Sequence, residues 1–207
     1  MLLIGRDLSP FVRRTAIVMA TVNVPFEREV LAAIEDGARL AAHTPLGRVP
    51  VLVLEDGETL IDSAAIIDHI LEVGDPTHAL LPAMGHDRRR VQYLCAVATG
   101  AMEKGVASSY ERFQRPRELI HGPWLDRLFD QARRGLAALE AALGECDWLH
   151  GDAMTLADIY AVVLYDFMQI IDLPRLAETA PCTLPALSER LNALPAFRDH
   201  RFIPATD

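Results

Sequence analysis

The sequence is poor in cysteine. Cys95, Cys146 and Cys182 are the only three in 207 residues, lie far apart and form no Cys-x-x-Cys pair. That count excludes a disulfide framework and a thiolate zinc site, and fits buried structural thiols in a reducing cytoplasm. The seven histidines show no metal-ligand spacing, so no metal is expected. Positive charge is also in deficit: 20 Lys and Arg stand against 29 Asp and Glu, a net charge of −9. Such a balance argues against a nucleic-acid surface and against anionic membranes. Long apolar runs are missing too. The longest, such as residues 160–165, fall far short of a bilayer crossing, so neither a signal peptide nor a membrane span is expected. There is no internal repeat or low-complexity segment. What remains, 51% hydrophobic and 24% charged, is ordinary globular composition, long enough for one large or two small domains.

The chain is organised around Ser9-Pro10-Phe11-Val12-Arg13-Arg14. It follows a short apolar run, residues 1–5, that reads as a buried first strand. Val12, Ala16 and Met19 then recur at helical spacing up to about Val22. Serine is a preferred N-cap and proline is favoured at the first helical position, where its missing N–H costs nothing. Ser9 would stand beside free backbone N–H groups at the positive end of the helix, an anion-stabilising place. It is read either as a cap alone or as a cap that also serves a ligand.

Residues 26–31 are a second strand candidate, and residues 35–42 carry a weak helical pattern that ends before Pro45. Residues 49–54 and 58–61 flank Asp56-Gly57, a favoured type I′ pair, and predict a hairpin. A third helix follows, capped by Asp62 or Ser63, with Ile66, Ile67, Ile70 and Leu71 on one face. The order is a thioredoxin-like layout. Residues 75–82, with Pro76 and Pro82, read as a linker. Beyond them the pattern is wholly helical: one stripe runs through Val91, Leu94, Cys95, Ala98, Met102 and Val106, another from Leu125 to Leu143. Thr155-Leu156-Ala157-Asp158 has the form of a capping box, with Met154 and Ile159 as a hydrophobic staple. The helix it opens is apolar nearly all round through Phe167, and Pro174, Pro181, Pro185 and Pro195 are expected to punctuate shorter helices. The fold class is therefore an α/β thioredoxin-like N-terminal domain (βαβαββα), residues 1–74, plus an all-α C-terminal domain, residues 83–207.

Four stretches carry a resemblance: Ser9-Pro10-Phe11-Val12-Arg13, residues 45–52, residues 60–66, and Leu149-His150-Gly151-Asp152 through Asp158. In this order and spacing the chain resembles a cytosolic glutathione transferase, of a serine-type bacterial kind, over essentially its whole length. The resemblance implies glutathione as cosubstrate, no metal, and Ser9 as the catalytic hydroxyl that donates to the glutathione thiolate, with backbone N–H groups near Phe11 as the alternative. It implies a cis Val49–Pro50 bond that presents the Val49 backbone to the cysteinyl part. Asp62 and Ser63 would hold the γ-glutamyl end, although the family more often has glutamate before this serine. Arg48, where the family often has lysine, would reach the glycyl carboxylate or stand solvated in its loop. His43 is the alternative contact. Tyr110, Met102 and Val106 are candidates for an apolar second-substrate wall, with Phe113 beside them, and the core stripe competes for Met102 and Val106.

The implied activity is conjugation of glutathione to a small, partly apolar electrophile, a detoxification reaction, in a cytoplasmic homodimer paired around the Ser63 and Arg88 helices. Arg88-Arg89-Arg90 reads first as a solvated helix face. Two rivals stand beside this: a glutathione-dependent peroxidase, which needs only the bound thiolate, and a non-catalytic binding or regulatory relative. Cysteine-based thiol transfer is disfavoured, because Ser9 occupies the position where it would need a cysteine.

Overall fold

Leu2–Ile4 forms β1, an inner strand of a four-stranded sheet in the order β2-β1-β3-β4. α1 (Pro10–Thr21) carries the chain over to β2 (Glu27–Glu29), which pairs parallel with β1. α2 (Gly37–Leu40) precedes β3 (Val51–Val53), and β4 (Thr59–Leu60) closes an antiparallel hairpin before α3 (Ser63–Gly74). The register pairs Leu3 with Leu52 and Ile4 with Val51. Because side chains alternate along a strand, the two pairs face opposite sides. Ile4 and Val51 form a fully buried cluster with Leu31 and Leu40, while Leu3 and Leu52 are buried on the other face. This is the thioredoxin-like arrangement.

The hairpin turn differs from its prediction. A type I′ turn needs positive φ at both central residues. Only Gly57 has it, at 90°. The Gly57 amide donates to the Leu54 carbonyl at 3.1 Å, so the turn is centred on Glu55 and Asp56, and Leu54 pairs with Glu58 beyond it. Asp56 accepts from the Glu58 amide through its side chain, at 2.9 Å, which holds it in the turn without a left-handed backbone.

The remaining helices are α4 (Gly85–Phe113), α5 (Gly122–Leu143), α6 (Leu156–Ala177), α7 (Leu184–Asn192) and α8 (Pro195–Arg198), with a 3-10 turn at Arg117–Leu119. α5 buries the stripe expected of it, and α4 buries its own from Val91 to Met102, while Val106 at the end of that stripe is only half-buried. They approach closely at Gly135, where a Cβ would stand 2.6 Å from that of Ala101. α6 is buried almost without interruption from Ala157 to Leu164 and continues past Pro174, which the sequence had placed among the breaks.

The computed structural model describes residues 1–177 and 183–202. The chain divides into two compact units, Met1–Leu80 with Asn192–Asp207, and Leu81–Leu191. Residues 192–202 thus group with the sheet-containing unit, not with the helical one to which residues 83–207 were assigned. Arg13 explains it. From within α1 its guanidinium donates to the His200 carbonyl at 3.1 Å and to Asn192 Oδ1 at 2.8 Å. The linker is ordered by Asp75, whose carboxylate accepts from the amides of Ala79 and Leu80 and from the Thr77 hydroxyl. Cys95 is buried as expected, but Cys146 is exposed, so it is not a core thiol. Pro181 and Cys182 lie outside the described residues.

Candidate functional site

The segments singled out by the sequence meet at one end of the sheet. β1 runs into the loop before α1. Antiparallel β3 starts beside the end of β1, and two residues beyond the Leu52–Leu60 pair the register brings Asp62 level with Pro50. Ser9, Val49-Pro50 and Asp62-Ser63 therefore share an edge by topology.

Ser9 is the N-cap of α1, in extended conformation, and its Oγ accepts from the Val12 amide at 3.4 Å. It is half-buried. The hydroxyl proton is not used in that bond, so Ser9 can donate to an acceptor outside the helix. Two residues shape the loop that leads to it. Gly5 has φ of 135°, and a Cβ there would lie 2.5 Å from Val12 Cγ2 and 3.0 Å from Val49 Cβ. Only glycine lets the loop pass so close to Val49. Arg28, on β2, donates through Nη2 to the Gly5 carbonyl and to Asp7 Oδ1, both at 2.9 Å.

The Val49–Pro50 bond is cis, and so is Ile61–Asp62. Pro50 is buried and Val49 half-buried. Asp62 is the N-cap of α3, accepting from the Ala64 amide at 2.9 Å, which leaves Ser63 as the first helical residue. Ser63 is 1% exposed, and its Oγ accepts from Arg14 Nη2 at 2.6 Å. The Arg14 guanidinium also lies over the Phe11 ring, 5.1 Å from its centroid. Arg14 lay in the stretch singled out in the sequence but was given no role there, and neither Arg28 nor Gly5 was given one. The available signal was two adjacent arginines on a helix otherwise buried from Val12 to Met19.

Among the other candidates, Arg48 is exposed and His43 half-buried, beyond the end of α2. Tyr110 is 47% exposed and Val106 half-buried on α4. Met102 has no exposed surface, which removes it from any open wall. It shares the α4 stripe with Leu94 and Ala98, on the side where nearby Gly105 packs against Phe167 and Met168 of α6. No set of three His, Cys, Asp or Glu among the described residues is arranged to hold a metal ion. No helix among them is long and apolar enough to cross a membrane.

Residues 8–73 match the family model of the glutathione S-transferase N-terminal domain, and residues 121–195 that of the C-terminal domain. The chain belongs to the glutathione S-transferase family. It is 35% identical over 161 residues, 77% of each chain, to the uncharacterized GST-like protein YibF of Escherichia coli K12. It is 30% identical over 158 residues, 72% of each chain, to a maleylacetoacetate isomerase of Pseudomonas aeruginosa. A glutathione S-transferase of Methylobacterium radiotolerans, solved in complex with glutathione sulfonate, superposes with a TM-score of 0.89 at 30% identity, covering all of this chain and 97% of that one.

Proposed function

We propose that this transferase-family chain binds glutathione at the sheet edge formed by Ser9, Val49-Pro50 and Asp62-Ser63, and delivers its thiolate to a small, partly apolar electrophile. The observation that carries this reading is Ser9: a capping hydroxyl with its proton free to point outward, at a helix N-terminus, directly after the first strand.

The sulfur nucleophile belongs to the cosubstrate, so the protein must keep it ionised and placed. A free thiol of pKa near 8.5 is only ~3% thiolate at pH 7. Lowering that pKa by about two units makes the thiolate the majority form, which takes roughly 2.7 kcal/mol of differential stabilisation. A hydrogen bond to a charged acceptor contributes roughly 1.5–3 kcal/mol and a helix terminus about 0.3–1. Ser9 and the start of α1 are therefore sufficient, with no base beside the serine. The Val49 backbone aligns the cysteinyl part, while Asp62 and Ser63 hold the γ-glutamyl end, where the helix terminus favours its carboxylate. Arg48 is assigned to the glycyl carboxylate, with His43 as the alternative. Tyr110 and Val106 are assigned to the second substrate. The protein acts as a cytoplasmic homodimer in detoxification, which a 22.9 kDa species in sedimentation would contradict.

The isomerase relative supports a second reading on the same site. The thiolate adds to a carbon–carbon double bond conjugated to a carbonyl, whose oxygen takes the electron pair as an enolate; the former double bond rotates as a single bond, and the enolate returns the pair as the thiolate leaves, with no net conjugation. Peroxide reduction by the same thiolate is distinguished by formation of oxidised glutathione.

Retention on immobilised glutathione, followed by an absorbance titration of the bound thiolate, tests the common core of these readings. Binding with a thiol pKa well below 8.5 is expected. No binding at millimolar glutathione would leave a non-catalytic relative.

A further inference from the structure

We infer that Arg14 is a positioning residue that fixes the Ser63 hydroxyl as a hydrogen-bond donor, and so selects a carboxylate over a neutral group at the start of α3. The inference rests on the glutathione reading above, in which that group is the α-carboxylate of the γ-glutamyl residue.

A guanidinium has five N–H donors and no acceptor. At 2.6 Å from Arg14 Nη2, the Ser63 oxygen must therefore accept. The serine proton is left to point away from the cation, toward whatever meets the end of α3. Arg14 is 2% exposed, so its charge is poorly screened. It stands one hydrogen bond behind the hydroxyl and polarises the O–H toward an acceptor. The α3 terminus adds attraction of the same sign. A carboxylate gains from hydroxyl, cation and helix end together. A carboxamide of the same shape gains the hydrogen bond alone.

The fork is held in place as well as charged. Its central carbon lies 5.1 Å from the centroid of the Phe11 ring, a stacking that a lysine ammonium would not reproduce with the same geometry. Phe11 is two residues beyond Ser9, and Arg14 is one turn further along α1. A single arginine thereby ties the helix that would serve the thiolate to the helix that would serve the carboxylate.

The test compares glutathione with its γ-glutamyl α-carboxamide by calorimetric affinity, in the wild type, Arg14→Lys and Arg14→Met, with folding checked by circular dichroism. The wild type should prefer the carboxylate by roughly ten- to a hundredfold, the scale of one charge-assisted hydrogen bond. Arg14→Met should lose most of the preference, keeping only the small part that the α3 terminus supplies, and Arg14→Lys should recover part of the rest. The thiol pKa of bound glutathione should stay unchanged, because Ser9 is untouched. Should Arg14→Met fail to fold, the wild-type ratio and the reduced ratio in Arg14→Lys carry the same test. Equal binding of the two ligands by the wild type, or a wild-type ratio kept in the variants, overturns the inference alone. No glutathione binding by the wild type overturns the glutathione reading and this inference with it.

Discussion

Asp158 Oδ2 accepts both the amide of Thr155, at 2.7 Å, and its hydroxyl, at 2.9 Å. The other carboxylate oxygen takes the Leu149 amide at 2.8 Å. One fully buried aspartate thus closes the start of α6 and pins the turn before it. Burial pushes its carboxyl above the usual aspartate range, against the pull of the Leu149 and Thr155 donors.

Removing that carboxylate strands two buried amides. Asp158→Ala should therefore destabilise the fold by roughly 2–6 kcal/mol, at about 1–3 kcal/mol for each orphaned amide. Asp158→Asn keeps one acceptor oxygen and should cost less. Denaturant unfolding of the two variants checks the order, and an alanine variant as stable as the wild type would reduce the box to decoration.

Gly5→Ala tests the loop that leads to Ser9. The backbone there is left-handed and the new methyl would collide with Val12 and Val49. A loss of about 2–4 kcal/mol in stability is expected, with weaker glutathione binding because Val49 and the start of α1 must both shift. Thermal unfolding and affinity should fall together. A folded variant of unchanged affinity would separate Gly5 from the site.

His200 sets a pH dependence. Burial holds its ring below the ordinary 6.5, and the charges around it oppose one another: Asp7 and Asp199 raise it, Arg28 and Arg13 lower it. The native ring is therefore neutral where the unfolded one begins to charge. The stability contribution is complete above the unfolded pKa of 6.5 and is lost as pH falls through it toward the lower folded value. Denaturant midpoints measured from pH 8 to 5 should decline, and His200→Asn should flatten the decline.

Much of this was legible in the sequence because local chemistry and tertiary placement agree. Ser9-Pro10 writes a helix start that nothing overrides, and the Thr155–Asp158 spacing writes a second. The apolar periods of α3 and α5 bury the residues they name, and that of α4 does so up to Met102. The failures share a cause: each depends on a partner distant in sequence. Arg14 is unremarkable until Ser63, 49 positions on, comes within 2.6 Å. The residues from Asn192 on read as more of the helical domain until Arg13 supplies their hydrogen bonds. Met102 fits a pocket wall or a core equally well by spacing, and only the packing of α4 decides for the core. The Asp56-Gly57 pair is ambiguous for a different reason, since the same dipeptide suits a longer turn in which only the glycine is left-handed.

The central claim is that the Ser9 hydroxyl stabilises the glutathione thiolate, and the pKa of the bound thiol in Ser9→Ala measures it. The account predicts a rise of about one to two units, the scale of a charged hydrogen bond of roughly 1.5–3 kcal/mol. Conjugation at neutral pH should slow roughly ten- to a hundredfold and recover in large part at high pH, with affinity little changed because Ser63 and the Val49 backbone still hold the tripeptide. Loss of the cap should also cost about 0.5–2 kcal/mol of stability, so the titration is made on folded protein. An unchanged thiol pKa would contradict the account, leaving Ser9 a helix cap and passing thiolate stabilisation to the backbone amides near Phe11.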